Sequence, residues 1–344
     1  MKKVLVGMSG GVDSSVAAFL LKKQGYEVIG ATMVLFDDEK ITTGCLSQNA
    51  VIDAKKVCNK LEIKHHVFDF KDIFKTHVID NFIESYKNGL TPNPCVECNK
   101  YLKFGALWQK AKELGCDYIA TGHYAKKQDN KLLVSNSANK DQSYFLYKIN
   151  KDVIPHILFP LEDFKDKDEI RKIAEDNDLI VARKKDSQEI CFVPDDNYTN
   201  FLTKNMDILP SIGNFIDTKG NILGKHKGII HYTIGQRKGL GISYKYPLYV
   251  IDINCKNNTI TLGSEKELYK KELICSNINL LVEELPRVIE AKIRFRANIA
   301  RAKVEYIDNN NIKLIFDEPQ RAITKGQSVV FYKDNIVLGG GVII

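Results

Sequence analysis

Gly7-Met8-Ser9-Gly10-Gly11-Val12-Asp13-Ser14-Ser15 is the stretch whose reading decides the fold. It follows a short apolar run, Lys3-Val4-Leu5-Val6, and passes directly into an apolar-periodic segment from Val16 to Leu21. Strand, glycine-rich turn and helix start together make an anion site. Glycine lets the backbone approach a phosphate, the turn's N–H groups point outward, and the helix dipole favours negative charge. Ser9, Ser14 and Ser15 add hydroxyl donors, and Asp13 can hold a metal ion that bridges phosphates. The spacing is not G-x-x-x-x-G-K-[ST], because no lysine follows, and it is not G-x-G-x-x-G. The bland alternative is a Gly/Ser turn that merely caps a helix. Nine positions in a strand–turn–helix context weigh against it.

Outward from that turn, residues 1 to about 125 alternate strand and helix patterns. Tyr26 to Met33 reads as a second buried strand. Ala50, Val51, Ala54, Val57, Cys58 and Leu61 mark one face of a helix, and His65 to Phe70 a third strand. Phe104, Leu107, Trp108 and Ala111 mark another helix, and Cys116 to Ala120 leads a strand ending at Thr121-Gly122-His123. Repeated βα units predict an α/β fold with a doubly wound, mostly parallel sheet, its ligands at the carboxyl ends of the strands. Met33 and Gly122-His123 fall at such ends, Met33 as an apolar or backbone neighbour of adenine. A polar helix is predicted from Asp168 to Asp178. From about residue 210 the texture turns to short β patterns with many glycines, and Glu283-Glu284-Leu285-Pro286 marks a further boundary. The expected organisation is a nucleotide-binding catalytic domain over 1–205, a small β-rich domain over 206–282 and a C-terminal β-barrel over 283–344.

A chain of 344 residues suits two or three domains, and 44% hydrophobic with 27% charged residues is ordinary globular composition. No run approaches the ~20 apolar residues of a membrane span, and the first residues are too few for a signal peptide. The expectation is a cytoplasmic protein without a membrane partner. A net charge of +7 permits a nucleic-acid partner.

Eight scattered cysteines in a reducing compartment argue for a few reactive or metal-binding thiols, not a disulfide scaffold. In Thr91-Pro92-Asn93-Pro94-Cys95-Val96-Glu97-Cys98-Asn99, two prolines set an extended approach and exclude helix before Cys95. Cys98 would then lie in the first turn of the helix through Phe104, where the dipole favours thiolate. Cys191 stands in a non-helical segment near Arg183-Lys184-Lys185, with Ser187 and Gln188 able to orient a substrate. A second C-x-x-C or a spaced histidine pair is missing, so zinc is not expected. Cys58, Cys116, Cys255 and Cys275 lie in apolar or strand-like runs and read as buried and inert.

The run SGGVDSS resembles the PP-loop of ATP pyrophosphatases, which cleave ATP between its α and β phosphates. Behind it, in order, come TPNPxxxCNxxxKF (Thr91 to Phe104), ATGHYA (Ala120 to Ala125), KDQSYFL (Lys140 to Leu146), SQEICF (Ser187 to Phe192) and HYTIGQRKGLG (His231 to Gly241). The ordered set covers nearly the whole chain and is similar to the bacterial tRNA-specific 2-thiouridylase family. That resemblance implies ATP as cosubstrate, with Mg2+, and a tRNA with a wobble uridine as substrate. The C2 oxygen is adenylated, a persulfide sulfur replaces it, and AMP and pyrophosphate leave. By the same resemblance Gly7 to Ser14 bind ATP with Met33 and Gly122 beside them. Cys98 matches the nucleophile and Cys191 the persulfide carrier, and the two can form a transient disulfide. His123, Lys140, Asp141, Gln142, Arg294, Phe295 and Gln327 match positions that contact tRNA, and Asn93, Pro94 and Cys95 fall in the target-base region. The sulfur donor would be a cysteine desulfurase or a relay protein, and the family chain length suggests a monomer.

Many family members carry aspartate where Cys95 stands. The cysteine creates a C-x-x-C and opens an alternative in which Cys95, Cys98 and Cys191 hold an iron–sulfur cluster that carries sulfide. The persulfide route is the preferred reading. A ligase or amidotransferase of the same superfamily would need neither the reactive cysteine pair nor a basic β domain. On the RNA side, Lys292, Arg294 and Arg296 alternate with Ile293 and Phe295, so a strand would line three cations on one face about 6.6 Å apart. Arg237-Lys238 and Arg183-Lys184-Lys185 would extend that footprint. The wobble base must leave its stack to reach the nucleotide.

Overall fold

The computed structural model describes residues 1–36, 48–137, 140–182, 184, 190–193, 197–206, 211–308 and 310–344. The chain divides into two compact units. One comprises Met1–Ile79, Pro94–Asp196 and Asp334–Val337; the other comprises Asp80–Asn93, Asn197–Lys333 and Leu338–Ile344.

The first unit is built on a parallel sheet. Strand β1 (Lys3–Gly7) pairs on one side with β2 (Glu27–Val34) and on the other with β4 (Tyr118–Ala120). Outside β2 lies β3 (Lys64–Asp69), and outside β4 the short strand Ile157–Leu158. Val4, Leu5 and Val6 are fully buried, which is why β1 reads as a continuous apolar run and not an alternating one. Helix α1 (Val12–Lys23) buries Val16, Ala17 and Leu21, and α2 (Gln48–Lys60) buries Ala50, Ala54, Val57 and Cys58. A Cβ on Gly30 of β2 would stand 2.5 Å from the Cys58 sulfur, so glycine lets α2 close onto the sheet. The chain builds outward through β1, β2 and β3, then crosses to the other side of β1. The strand order reverses beside the carboxyl end of β1, where open α/β sheets bind ligands. The predicted doubly wound sheet is present, with the Gly7 to Ser15 turn at this reversal.

The second unit is β-rich. Gly213–Ile216, Ile222–His226, Tyr249–Asn254 and Thr259–Gly263 form a four-stranded sheet around Phe215, Val250, Ile260 and Leu262. Six further strands close into a barrel, because Tyr269–Leu280 pairs with Ile312–Arg321 on one edge and Ile336–Ile343 on the other. Closure removes the exposed sheet edge. The helix Asp80–Lys87 also belongs here: Phe82 packs edge-on at 6.3 Å from Phe201, and Tyr86 stacks at 5.0 Å from Tyr198.

One expected strand is shorter than its pattern. Val288–Lys292 ends at Lys292, and Arg294 to Ala297 form a turn closed by the Ala297 N–H on the Arg294 carbonyl at 3.0 Å. Alternation of charge alone does not hold a strand that has no partner across it. The three cations therefore do not share one strand face.

Candidate active site

The phosphate loop is organised by its own hydroxyls. Ser14 and Ser15 both donate to the Gly11 carbonyl, at 3.1 and 2.9 Å, and the Ser9 N–H donates to Ser14 Oγ at 3.2 Å. Gly11 caps α1 without a side chain, leaving the helix N-terminus to face outward. Gly10 has φ +67°, and a Cβ there would lie 2.4 Å from the Ala50 carbonyl oxygen of α2, so the position requires glycine. Met8 and Val12 are buried in the core and offer a ligand only their main chain. Met33 stands half-buried near the end of β2, at the sheet's ligand edge.

Gly122 lies directly against the loop. A Cβ on it would meet the Asp13 carbonyl carbon and the Ser14 nitrogen at 2.8 Å each. The next residues lock the arrangement: Tyr124 donates its hydroxyl to Asp13 Oδ1 at 2.9 Å, and Gln142 Oε1 accepts from the Tyr124 N–H at 3.0 Å. Two cations complete the rim: Lys167, which no sequence pattern singles out, and Lys184, which is expected on the RNA footprint and stands at the loop instead. Lys167 Nζ reaches Asp13 Oδ2 at 2.9 Å, and Lys184 Nζ bridges the Gly10 carbonyl at 2.9 Å and Asp53 Oδ2 at 2.7 Å. Lys167 opens the predicted polar helix, which runs Lys167–Asp176 and packs on α1.

The C-x-x-C segment differs from expectation. The helix begins at Pro94, one residue before Cys95, because proline's missing N–H and preset φ suit a first helical position. Cys95 is exposed in the first turn. Cys98 is half-buried one turn further on, where Pro94–Cys98 passes into the π-helical stretch Asn99–Ala106. π segments recur at functional sites. Two buried anchors hold this helix. Lys148 Nζ meets Glu97 Oε1 at 2.5 Å with both side chains largely buried, and Asn99 Nδ2 donates to the Phe145 carbonyl at 3.0 Å. The Lys140 to Leu146 motif thus serves as packing for the cysteine helix, with Tyr144 and Leu146 fully buried.

Cys191 is half-buried in a turn closed by the Val193 N–H on the Ile190 carbonyl. The neighbouring Phe192 ring packs edge-on at 5.6 Å from Phe74, and the turn of helix after Phe74 packs against Pro94–Cys98. Both cysteine segments therefore belong to the first unit and share a neighbour. Arg183, Lys185, Ser187 and Gln188 lie outside the described residues. Cys58, Cys116 and Cys275 are buried as expected, and burial pushes Cys58 and Cys275 up to about 12. Cys255 is a correction: it is exposed, in the turn between strands Tyr249–Asn254 and Thr259–Gly263.

His123 is buried. Lys103 Nζ lies 3.4 Å from its Nε2 and has only protons to give, so Nδ1 carries the ring proton and donates to Thr121 Oγ1 at 2.8 Å. Burial first, and the Lys103 charge second, hold His123 well below the ordinary histidine range. Lys140 is exposed, whereas the Asp141 carboxylate accepts from the Ser135 and Ser143 N–H groups and from the Ser143 hydroxyl. Asp141 shapes the segment that presents Lys140.

In the second unit, Gln327 Nε2 donates to the Thr91 carbonyl at 2.9 Å and lies 3.3 Å from that of Pro92, bracing the lead into Asn93. Arg294 is half-buried and donates to the Arg321 carbonyl at 2.9 Å, next to Ala322, whose φ is +55°. Phe295 follows in the same turn, with Lys292 Nζ 5.6 Å over its ring. Among the described residues no three His, Cys, Asp or Glu side chains gather as a metal site. Asp13 remains suited to share Mg2+ with phosphate oxygens, since Mg2+ commonly takes only one or two protein carboxylates.

Three family models match in succession: the tRNA methyl transferase HUP domain over residues 2–195, the tRNA methyl transferase PRC-barrel domain over 199–264, and the aminomethyltransferase β-barrel domain over 270–343. The tRNA-specific 2-thiouridylase MnmA of Clostridioides difficile (strain 630) is 51% identical over 354 aligned positions, covering 99% of this chain and 98% of that one. The MnmA of Clostridium beijerinckii is 52% identical with the same coverage, and that of Acetivibrio thermocellus 51% with 99% of each chain covered. Among solved structures, a 4-thiouridine synthetase–RNA complex with bound ATP matches at TM-score 0.37 and 18% identity, over 59% of this chain and 50% of that one. With half of its residues shared across almost its whole length, the chain belongs to the tRNA-specific 2-thiouridylase family.

Proposed function

We propose that the protein is an ATP-dependent sulfurtransferase that converts the wobble uridine (position 34) of tRNA to 2-thiouridine. The observation that carries this reading is the phosphate loop at the strand-order reversal, in one compact unit with the Cys98 helix and the Cys191 turn. The loop binds ATP through Gly7 to Ser14, with Met33 and Gly122 beside it. The uridine O2 attacks the α-phosphorus, pyrophosphate leaves, and C2 becomes electrophilic. The terminal sulfur of a Cys191 persulfide then attacks C2 and AMP departs with the former O2. Cys98 thiolate attacks the Cys191 sulfur, a Cys98–Cys191 disulfide forms, and the thiocarbonyl is released. An external thiol reductant restores both cysteines. No step is routed through an iron–sulfur cluster.

Residues 1–205 carry this chemistry; the barrel, which begins with the strand Tyr269–Leu280 and not at the expected 283, binds tRNA, and the central β domain ends before that strand. Lys140, Phe295 and Gln327 act on the RNA side together with His123, Asp141, Gln142 and Arg294, several of them by holding the contacting segments in place. Asn93, Pro94 and Cys95 meet the target base. No described helix is long and apolar enough to cross a membrane. We take the protein to act in the cytoplasm, as a monomer, with sulfur supplied by a cysteine desulfurase or relay protein.

Cys191→Ser tests the assignment. Thiolation of tRNA, read by mass spectrometry of wobble uridines, should be abolished while ATP and tRNA binding persist. Thiolation at the wild-type rate with the physiological sulfur donor would remove Cys191 from the persulfide role.

A further inference from the structure

The phosphate loop carries no lysine of its own, unlike a P-loop, whose lysine reaches the β and γ phosphates. Main-chain N–H groups and a helix dipole supply only partial charges against the polyanionic tail of ATP. The fold brings two full cations to the loop from far along the chain. Lys167 arrives from 154 residues beyond Asp13, with its side chain only 11% exposed, and Lys184 from 174 residues beyond Gly10. They reach different places. Lys167 sits at Asp13, in the first turn of α1, and Lys184 sits on the carbonyl of Gly10, at the tip of the loop.

We propose that Lys167 and Lys184 form a two-sided cationic grip on the β and γ phosphates of ATP. They replace the lysine that the loop sequence lacks and hold the pyrophosphate as it leaves. This rests on the reading of Gly7 to Ser14 as the ATP site and adds residues to it. A lysine suits the task because its ammonium is a compact charge on a long stem, with three donors. In place of Asp13 and Asp53, the ammonium groups turn their protons to phosphate oxygens without leaving the rim. The α-phosphate, which stays with AMP, is left to the loop's main-chain donors in this arrangement. The lysines therefore distinguish ATP and pyrophosphate from AMP.

The competing account is structural: two ion pairs that only hold Asp13 and α2 in place. The test uses full-length Lys167→Met, Lys167→Gln and Lys184→Met, with dissociation constants for ATP, pyrophosphate and AMP, each with Mg2+, beside melting temperatures. Losing a charge-assisted hydrogen bond should weaken ATP and pyrophosphate about 10-fold to 100-fold for each lysine, with AMP unchanged. Lys167→Gln keeps a donor for Asp13 but no charge, so it should lose ATP affinity as Lys167→Met does, and it serves in its place if the methionine variant does not fold. Wild-type ATP affinity in Lys167→Gln, wild-type ATP affinity in Lys184→Met, or equal losses for ATP and AMP would each overturn the grip. Wild type and Asp13→Ala keep the two readings apart. If wild type binds ATP and Asp13→Ala stops pyrophosphate release, the loop assignment stands whatever the lysines do.

Discussion

The phosphate loop and the barrel turn at Arg294 are both segments that follow a β-strand, and both promise ligand contacts in sequence, yet only one is arranged as its pattern suggests. In the loop the groups we propose for the ligand are main-chain N–H donors, and the residues that free them are glycines. Gly10 is held by its backbone angle and by Ala50, and Gly122 by the backbone of Asp13 and Ser14. In the turn the expected contacts are side-chain cations, and a cation can satisfy the protein's own carbonyls. Arg294 does so at Arg321. A main-chain site announces itself through residue types that permit only one backbone; a side-chain surface does not, since the same guanidinium serves RNA or the fold.

The sharpest way to break this contrast is Gly122→Ala. The new methyl would stand 2.8 Å from two backbone atoms of the loop, which cannot swing aside as a flexible side chain can. Displacement of the loop by a few tenths of an ångström to 1 Å should lower kcat/KM for tRNA-dependent pyrophosphate release about 100-fold, with tRNA affinity intact. Release at the wild-type rate would mean that Gly122 does not set the loop's position.

What was legible follows the same division. β1, α1, β2, α2 and β3 stand within a few residues of their patterns: β1 is a continuous buried run through Val4 to Val6, α2 buries Ala54, Val57 and Cys58 at helical spacing, and β3, half-exposed, is held by its pairing with β2. The cysteine helix starts one residue earlier than its two prolines suggest, because Pro94 occupies the first helical position, which tolerates proline. Cys255 differs from its strand-like pattern because the apolar-polar alternation of Tyr249–Asn254 runs on into a hairpin turn. The π stretch Asn99–Ala106 leaves no periodic trace short enough to register. Lys167 is out of reach altogether, and the basic run at Lys184 points to RNA and not to the loop: no local pattern marks where a lysine lands when it folds back across more than 150 residues.

Arg294→Ala and Arg296→Ala sharpen the other side of the contrast. The first removes a donor from a half-buried carbonyl and should cost about 1–3 kcal/mol of stability, read by denaturant unfolding. Arg296 is exposed in the same turn, so its removal should stay within about 0.5 kcal/mol. In tRNA binding the ranking should invert in kind: Arg296→Ala flattens the salt dependence by about one phosphate contact. Equal stability for the two variants would return Arg294 to the status of a surface cation.

A pH effect is one that the two compact units share. His65 and His123 in the first unit, and His226 and His231 in the second, are all held below their ordinary value, with burial the largest cause in each. An unfolded chain protonates these rings near pH 6.5, whereas the folded protein keeps them neutral to lower pH. Below that point the unfolded state binds more protons, so stability falls as pH drops; above it these rings contribute no pH dependence. The slope cannot exceed about 1.4 kcal/mol per pH unit for each histidine. His226 makes the cause concrete. Its Nδ1 accepts from the Gly228 N–H at 3.1 Å while Nε2 donates to the Asn258 carbonyl, so a second ring proton would break the Gly228 bond. Melting temperature should therefore decline between pH 7 and 5.5, before the depressed aspartates Asp69, Asp117, Asp217 and Asp308 titrate. His226→Gln should remove part of that decline without touching tRNA-dependent pyrophosphate release, and His123→Gln should remove another part while disturbing the Thr121–Gly122 approach to the loop. A melting temperature flat across that window would mean that these rings are not held neutral by the fold.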